Sequence, residues 1–174
     1  MDEQARLTPA TSALDVARLM GGTEPILVRA DDSLHRLAEL TTANLACRVM
    51  SVVDDEGRLI GLVSDSDLVD DIFLKVVPEE FLGEIGDVDA ALRYAEHIGA
   101  RTAGDIMRAP ISVPSTDTVR HAVQRLHQSG LNGLPVTDAD RRVVAYLDQL
   151  ELLMAWVNAT GRELLLKPTP DEPA

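Results

Sequence analysis

Gly61-Leu62-Val63-Ser64-Asp65-Ser66-Asp67-Leu68 decides the fold. An apolar run ends in a polar turn, and the turn opens a helix. Just upstream lie the apolar Met50-Ser51-Val52-Val53, the acidic turn Asp54-Asp55-Glu56-Gly57 and the apolar start Leu59-Ile60. Two apolar runs across a Gly-containing acidic turn predict a hairpin, with strands over Met50–Val53 and Leu59–Val63. From Asp67 onward, Leu68, Ile72 and Val76 form one helical stripe, with Val69 and Phe73 beside it.

The same grammar recurs downstream. Pro110-Ile111-Ser112-Val113 answers Pro25-Ile26-Leu27-Val28 at an offset of 85 residues. Asp117-Thr118-Val119 answers Asp32-Ser33-Leu34 at the same offset, and Pro135-Val136-Thr137-Asp138 answers Ser51-Val52-Val53-Asp54 at 84. Ala103-Gly104-Asp105-Ile106-Met107 answers Val16-Ala17-Arg18-Leu19-Met20. Four anchors in order and nearly in register predict an internal duplication. Each unit reads helix, short strand, helix, strand, strand, helix. Ser12 caps a first helix running to Met20, and Asp31-Asp32-Ser33 caps a second that carries Leu34, Leu37, Ala38 and Thr41. Val119, Ala122, Val123 and Leu126 repeat that stripe. A unit of about 60 residues buries too little surface to stand alone. The two copies are therefore expected to pack about a pseudo-two-fold axis, with ligand clefts related by it. The expected division is 1–77 for the lead and first repeat, 78–101 for an acidic helical bridge, 102–160 for the second repeat and 161–174 for a polar, Pro-rich tail.

Composition narrows the function. Hydrophobic residues make up 45% of the 174, enough for a core, while aromatics are 3%, so the core is aliphatic and a base-stacking platform is not expected. Sixteen Lys and Arg against 29 Asp and Glu give a formal charge of −13. That field opposes nucleic acid and anionic membranes, though a helix N-terminus or one Arg still suits a small anion locally. A single cysteine, Cys47, permits no internal disulfide. The acidic start Met1-Asp2-Glu3-Gln4 lacks the features of a signal peptide, and no apolar run approaches bilayer length, so a cytoplasmic protein is expected. The histidines lack metal-ligand spacing, the glycines form no phosphate loop, and no catalytic triad order stands out, so neither a metal site nor catalysis is expected.

These residues carry a family resemblance. A Met before each Pro-hydrophobic strand (Met20, Met107), the stretch Leu131-Asn132-Gly133-Leu134-Pro135-Val136-Thr137-Asp138, and Gly61–Leu68 as Gly-x-x-Thr/Ser-x-x-Asp-Leu together resemble a tandem pair of CBS domains, a Bateman module. The resemblance implies an α/β (α+β) fold with two tandem repeats. It implies a non-catalytic regulatory module that binds AMP, ADP or ATP between the repeats, with Mg²⁺ only as a nucleotide brings it. It places Ser64 and Asp67 in the cleft, the Asp carboxylate accepting from ribose hydroxyls. An ionised carboxylate, being acceptor-only, suits a vicinal diol. The same two residues also read as a helix cap and a first-turn acid, which need no ligand. Ile26, Val28, Ile111, Val113, Gly133 and Pro135 are the further cleft candidates, and each also reads as plain core. Arg48 and Lys75 read as surface charges that a phosphate would suit. The second motif departs from the pattern: in Ala145-Tyr146-Leu147-Asp148-Gln149-Leu150-Glu151-Leu152, Asp148 replaces Ser/Thr and Glu151 replaces Asp. Asp148 still caps a helix, but two carboxylates repel phosphate, so this site is expected to be degenerate. The alternatives are a structural or protein-interaction module without a small ligand, or a sensor of another adenosyl compound such as S-adenosylmethionine. A homodimer and a regulated partner protein are expected.

Overall fold

A computed structural model describes residues 10–19, 22–74 and 102–154. The bridge expected over 78–101, the tail over 161–174, and Met20, Lys75, Val76 and Trp156 lie outside them. The first half runs α1 (Ala13–Leu19), β1 (Leu27–Val28), α2 (Leu34–Ala43), β2 (Val49–Val53), β3 (Leu59–Ser64) and α3 (Asp65–Val69), which continues as a π-helical turn over Asp70–Leu74. The second half runs α4 (Ala103–Ile106), β4 (Val113–Pro114), α5 (Val119–Ser129), β5 (Gly133–Thr137) and β6 (Val143–Asp148), followed by helix over 149–154. The caps stand where polar residues precede each apolar stripe. Ser12 Oγ accepts from the Asp15 N–H at 3.1 Å, Ser33 Oγ from Arg36 N–H at 3.2 Å, and Thr118 Oγ1 from His121 N–H at 3.4 Å. Gly130 ends α5 in the left-handed conformation, φ 67°. Helix α3 begins two residues before Asp67, because Ser64 is both the last strand residue and the cap.

Each half builds a three-stranded sheet, β1-β2-β3 and β4-β5-β6, with one parallel and one antiparallel pairing. The register repeats as well. Val28 pairs with Val52 and Val113 with Val136, and both hairpins shift register at equivalent points, Val52/Val53 and Val136/Thr137. All residues of β2 and β5 are buried, because one face meets helices and the other meets the opposite sheet, β2 packing against β5.

The halves also exchange their first helices. The Ala13 N–H donates to Asp117 O at 2.7 Å, and Val119 N–H to Thr11 O at 2.9 Å, so α1 joins the start of α5. In the mirrored place, Ala103 N–H donates to Asp32 O and Gly104 N–H to Ala30 O, both at 2.8 Å, so α4 joins the start of α2. Helix α1 packs on β6, and α4 on β3. The two hairpin tips touch too: Leu59 N–H donates to Arg141 O at 2.9 Å, and Arg141 Nη2 to Leu59 O at 3.1 Å. These bonds hold Arg141 at φ 64°, where the first repeat uses Gly57 at φ 78°.

One core exchange distinguishes the repeats. Where the first has Val49 and Leu62, the second has Gly133 and Tyr146. A Cβ at Gly133 would fall on the Tyr146 hydroxyl, so the tyrosine ring fills the volume that Val49 fills in its own sheet. Tyr146 is fully buried, and its hydroxyl accepts from the Arg48 N–H at 3.2 Å, across the repeat boundary. Burial pushes the phenol far above its ordinary pKa, so it stays neutral. Tyr146→Phe leaves the Arg48 N–H without that acceptor, and we expect a loss of about 1–2 kcal/mol in denaturant unfolding. Gly133→Val should be far worse alone. The double change Gly133→Val with Tyr146→Leu, which restores the first repeat's pair, should recover much of that loss. Additive damage in the double variant would show that the two sites do not compensate.

Candidate functional site

Ser64 and Asp67 meet at the C-terminal end of β3. Ser64 has extended backbone, φ −84° and ψ 160°, and caps α3. Its N–H and Oγ donate to Asp67 Oδ2 at 3.1 and 2.8 Å, and Asp67 N–H donates back to Ser64 Oγ at 3.1 Å. This is a capping box with Asp in place of the usual Glu or Gln. The cap reading of these residues therefore holds as local structure.

The other carboxylate oxygen turns to the second repeat. Arg108 Nε donates to Asp67 Oδ1 at 2.7 Å, and Arg108 Nη2 contacts the same atom. Arg108 follows α4 and is fixed by its backbone to β3, with Leu62 N–H to Arg108 O at 3.1 Å and Arg108 N–H to Leu62 O at 2.8 Å. Gly61 makes this approach possible: a Cβ there would lie 2.5 Å from Met107 Sδ. The motif glycine thus admits the partner repeat's methionine. Asp67 is 8% exposed, while the Arg108 side chain is 58% exposed. Burial raises the Asp67 carboxyl, but hydrogen bonds from Arg108 and Ser64 together outweigh it and hold the group below the usual carboxylate range. Asp67 in turn raises the pKa of Arg108 by its hydrogen bond and charge.

The second motif repeats the geometry with other chemistry. Asp148 is buried, and its Oδ1 accepts from the N–H groups of Leu150 at 2.7 Å and Glu151 at 3.4 Å, capping the helix over 149–154. Glu151 Oε1 accepts from the Thr23 N–H at 3.2 Å and Oγ1 at 2.5 Å. Its Oε2 is buried without a partner among the described residues. Thr23 stands 85 residues before Arg108, the offset of the two Pro-hydrophobic strands. Each motif acid is therefore held by the same position of the opposite repeat's linker, a guanidinium at Asp67 and a hydroxyl at Glu151.

The crossing reassigns the remaining candidates. Ile111 lies three residues beyond Arg108, on the linker that meets Asp67, and Ile26 three beyond Thr23, on the linker that meets Glu151. The two isoleucines also differ in tie. Ser51 N–H donates to Ile26 O at 2.9 Å, and Ile26 is 7% exposed. The matching residue in β5 is Pro135, which has no N–H to give, and Ile111 is 36% exposed. Val28 and Val113 are core residues of β1 and β4. Gly133 and Pro135 lie in β5, whose residues are all buried. Arg48 serves through its backbone, its N–H on Tyr146 and its carbonyl accepting from Asp65 N–H at 2.9 Å. Burial pushes the Cys47 thiol up, which suits an inert core residue. Arg108 was invisible to motif reading, because it lies outside both motifs. The repeat offset that pairs it with Thr23 is the signal that points to it.

A duplicated α+β unit with crossed linkers, each meeting the motif acid of the other repeat, defines a tandem-repeat module. The chain belongs to the CBS domain family, whose model matches residues 16–73 and 103–158, and the two copies form a tandem CBS pair. The fold is similar to the CBS domain pair of protein MJ0100 in complex with 5′-methylthioadenosine and S-adenosyl-L-methionine, at 18% identity and TM-score 0.61, covering 86% of this chain and 98% of that one. It is similar to a CBS domain-containing protein, TM0935, from Thermotoga maritima, at 19% identity and TM-score 0.64, covering 85% and 95%. It is also similar to CBSX2 in complex with AMP, at 22% identity and TM-score 0.60, covering 81% and 96%. No curated protein matches the chain. Among the described residues no helix is long and apolar enough to cross a membrane.

A depressed carboxyl stabilises the fold above its unfolded pKa, and that contribution disappears as pH falls through the folded value. We expect Asp67→Asn to lower stability by about 1 kcal/mol at neutral pH, since it weakens the cap and removes the charge on Arg108. The gap to wild type should hold down to about pH 4 and close below it. A gap independent of pH would show that the Asp67 charge contributes nothing.

Proposed function

We propose that the protein is a non-catalytic regulatory module that binds an adenine nucleotide, AMP, ADP or ATP, in the cleft where Asp67 faces the second repeat's linker. One observation carries this reading: a buried, ionised carboxylate stands at the junction of the repeats, on the motif aspartate. Such a group accepts a ribose diol, and the more open Ile111 segment lies along the same linker. Ser64, whose N–H and hydroxyl both donate to Asp67 Oδ2, would serve by holding that carboxylate in place, and Mg²⁺ would arrive only with the nucleotide. The structural neighbours reported above include complexes with AMP and with adenosyl compounds, which supports an adenosine moiety. The Glu151 cleft, flanked by Asp148, disfavours phosphate and would be the weaker or differently selective site.

Occupancy would be passed to a regulated partner protein through the packing of the repeats, which requires that ligand favour one packing over another. Val69 and the run Leu150, Leu153 and Met154 are exposed apolar residues on the two motif-derived helices, a face suited to a homodimer. A second reading, an interaction module without a small ligand, has its own support, because Asp67 is already fully hydrogen-bonded within the chain.

Calorimetric titration of the nucleotide-stripped protein with AMP, ATP and S-adenosylmethionine separates these readings. We expect AMP or ATP to bind and to raise the melting temperature, and the 2′-deoxy analogue to bind at least tenfold more weakly. Asp67→Ala should abolish the response while the circular dichroism spectrum is kept. A folded protein that answers none of these compounds would sink the sensor reading.

A further inference from the structure

We propose that Arg108 determines which ligands the Asp67 cleft accepts: its guanidinium is an internal occupant of the ribose-binding carboxylate, and a ligand gains Asp67 only by drawing that guanidinium onto its own phosphate. This rests on the reading that the cleft takes an adenosine compound. A carboxylate offers about four lone-pair directions. On Asp67 all are in use. Oδ2 accepts from Ser64 N–H and Oγ, and Oδ1 accepts from Arg108 Nε at 2.7 Å and from Nη2. A vicinal diol needs two of them. The pair on Oδ2 holds the start of α3, so the diol must take the pair on Oδ1, and Arg108 must leave.

The guanidinium is built to leave. The Arg108 backbone is fixed to Leu62 by two hydrogen bonds, so the linker stays in place while the side chain moves. That side chain is 58% exposed. Where it goes depends on the ligand. Uncharged adenosine offers it no counter-ion. A 5′-phosphate offers a bidentate acceptor, which suits a planar guanidinium. The phosphate needs it equally, because Asp70 also bears on Arg108, and a phosphate without Arg108 would face two carboxylates. The other cleft has no such device, since the equivalent position is the neutral Thr23. Moving Arg108 also dissolves an ion pair that spans the repeats, which gives a phosphorylated ligand a direct hold on their packing.

The test is titration of the full chain and its Arg108→Gln variant with AMP and with adenosine. Wild type should prefer AMP at least tenfold. The variant should lose AMP affinity tenfold or more and gain adenosine affinity severalfold, so that the preference reverses. Equal changes for both ligands, or none, would overturn the role of Arg108 and leave the nucleotide reading intact. Binding of neither ligand by either protein would overturn both. The Arg108 Nε–H signal in ¹⁵N-edited NMR of the wild type gives a readout free of any variant. It should move on adding AMP and stay in place when adenosine is added to saturation; an AMP-bound spectrum with that signal unmoved would refute the exchange.

Discussion

The structure depends on a crossing: each repeat's first helix and linker lie on the other repeat. Helix α1 joins the start of α5 through the Ala13 and Val119 hydrogen bonds, and α4 joins the start of α2 through those of Ala103 and Gly104. A small repeat with a thin aliphatic sheet cannot bury enough surface alone. The crossing means that it need not, because the buried faces of β2 and β5 close on each other. It also means that both motif acids meet groups from the opposite repeat. Asp67 and Glu151 are thus points where the side-chain contacts of one half depend on the placement of the other.

The two halves share a backbone plan and differ at the side chains that count. Register and bulge position repeat, whereas the Val49 and Leu62 pair becomes Gly133 and Tyr146. Tyr146 fills the space left by the glycine and reaches Arg48 across the boundary. Pro135 removes the strand donor that Ser51 provides, and Ile111 is left more open than Ile26. Arg141 takes a left-handed conformation where the first repeat has Gly57, held by bonds to Leu59. Two of these divergences, at Tyr146 and Arg141, lie where one half touches the other.

The charge pattern follows the same line. The chain carries −13 overall, yet the Asp67 cleft holds a local cation in Arg108. Two carboxylates, Asp148 and Glu151, stand at the matching place in the other half, with Thr23 as the only crossing partner described there. Coulomb interactions at this range outweigh the average field, so the surroundings of the two motif acids differ in charge although their backbones match.

The sequence alone determined the duplication, the order of elements, the hairpins and most caps. These follow from short-range rules: apolar periodicity, Gly and acidic turns, and hydroxyls before apolar stripes. It also singled out Ser64 and Asp67, because their spacing on one helical turn is local. Only the tertiary structure decided what faces them. Arg108 lies 41 residues from Asp67, and Tyr146 lies 98 from Arg48. No periodicity encodes such contacts, since they arise when two sheets pack and the linkers cross. That is why the motif acid was legible as a residue, while its guanidinium partner became visible only in the assembled fold.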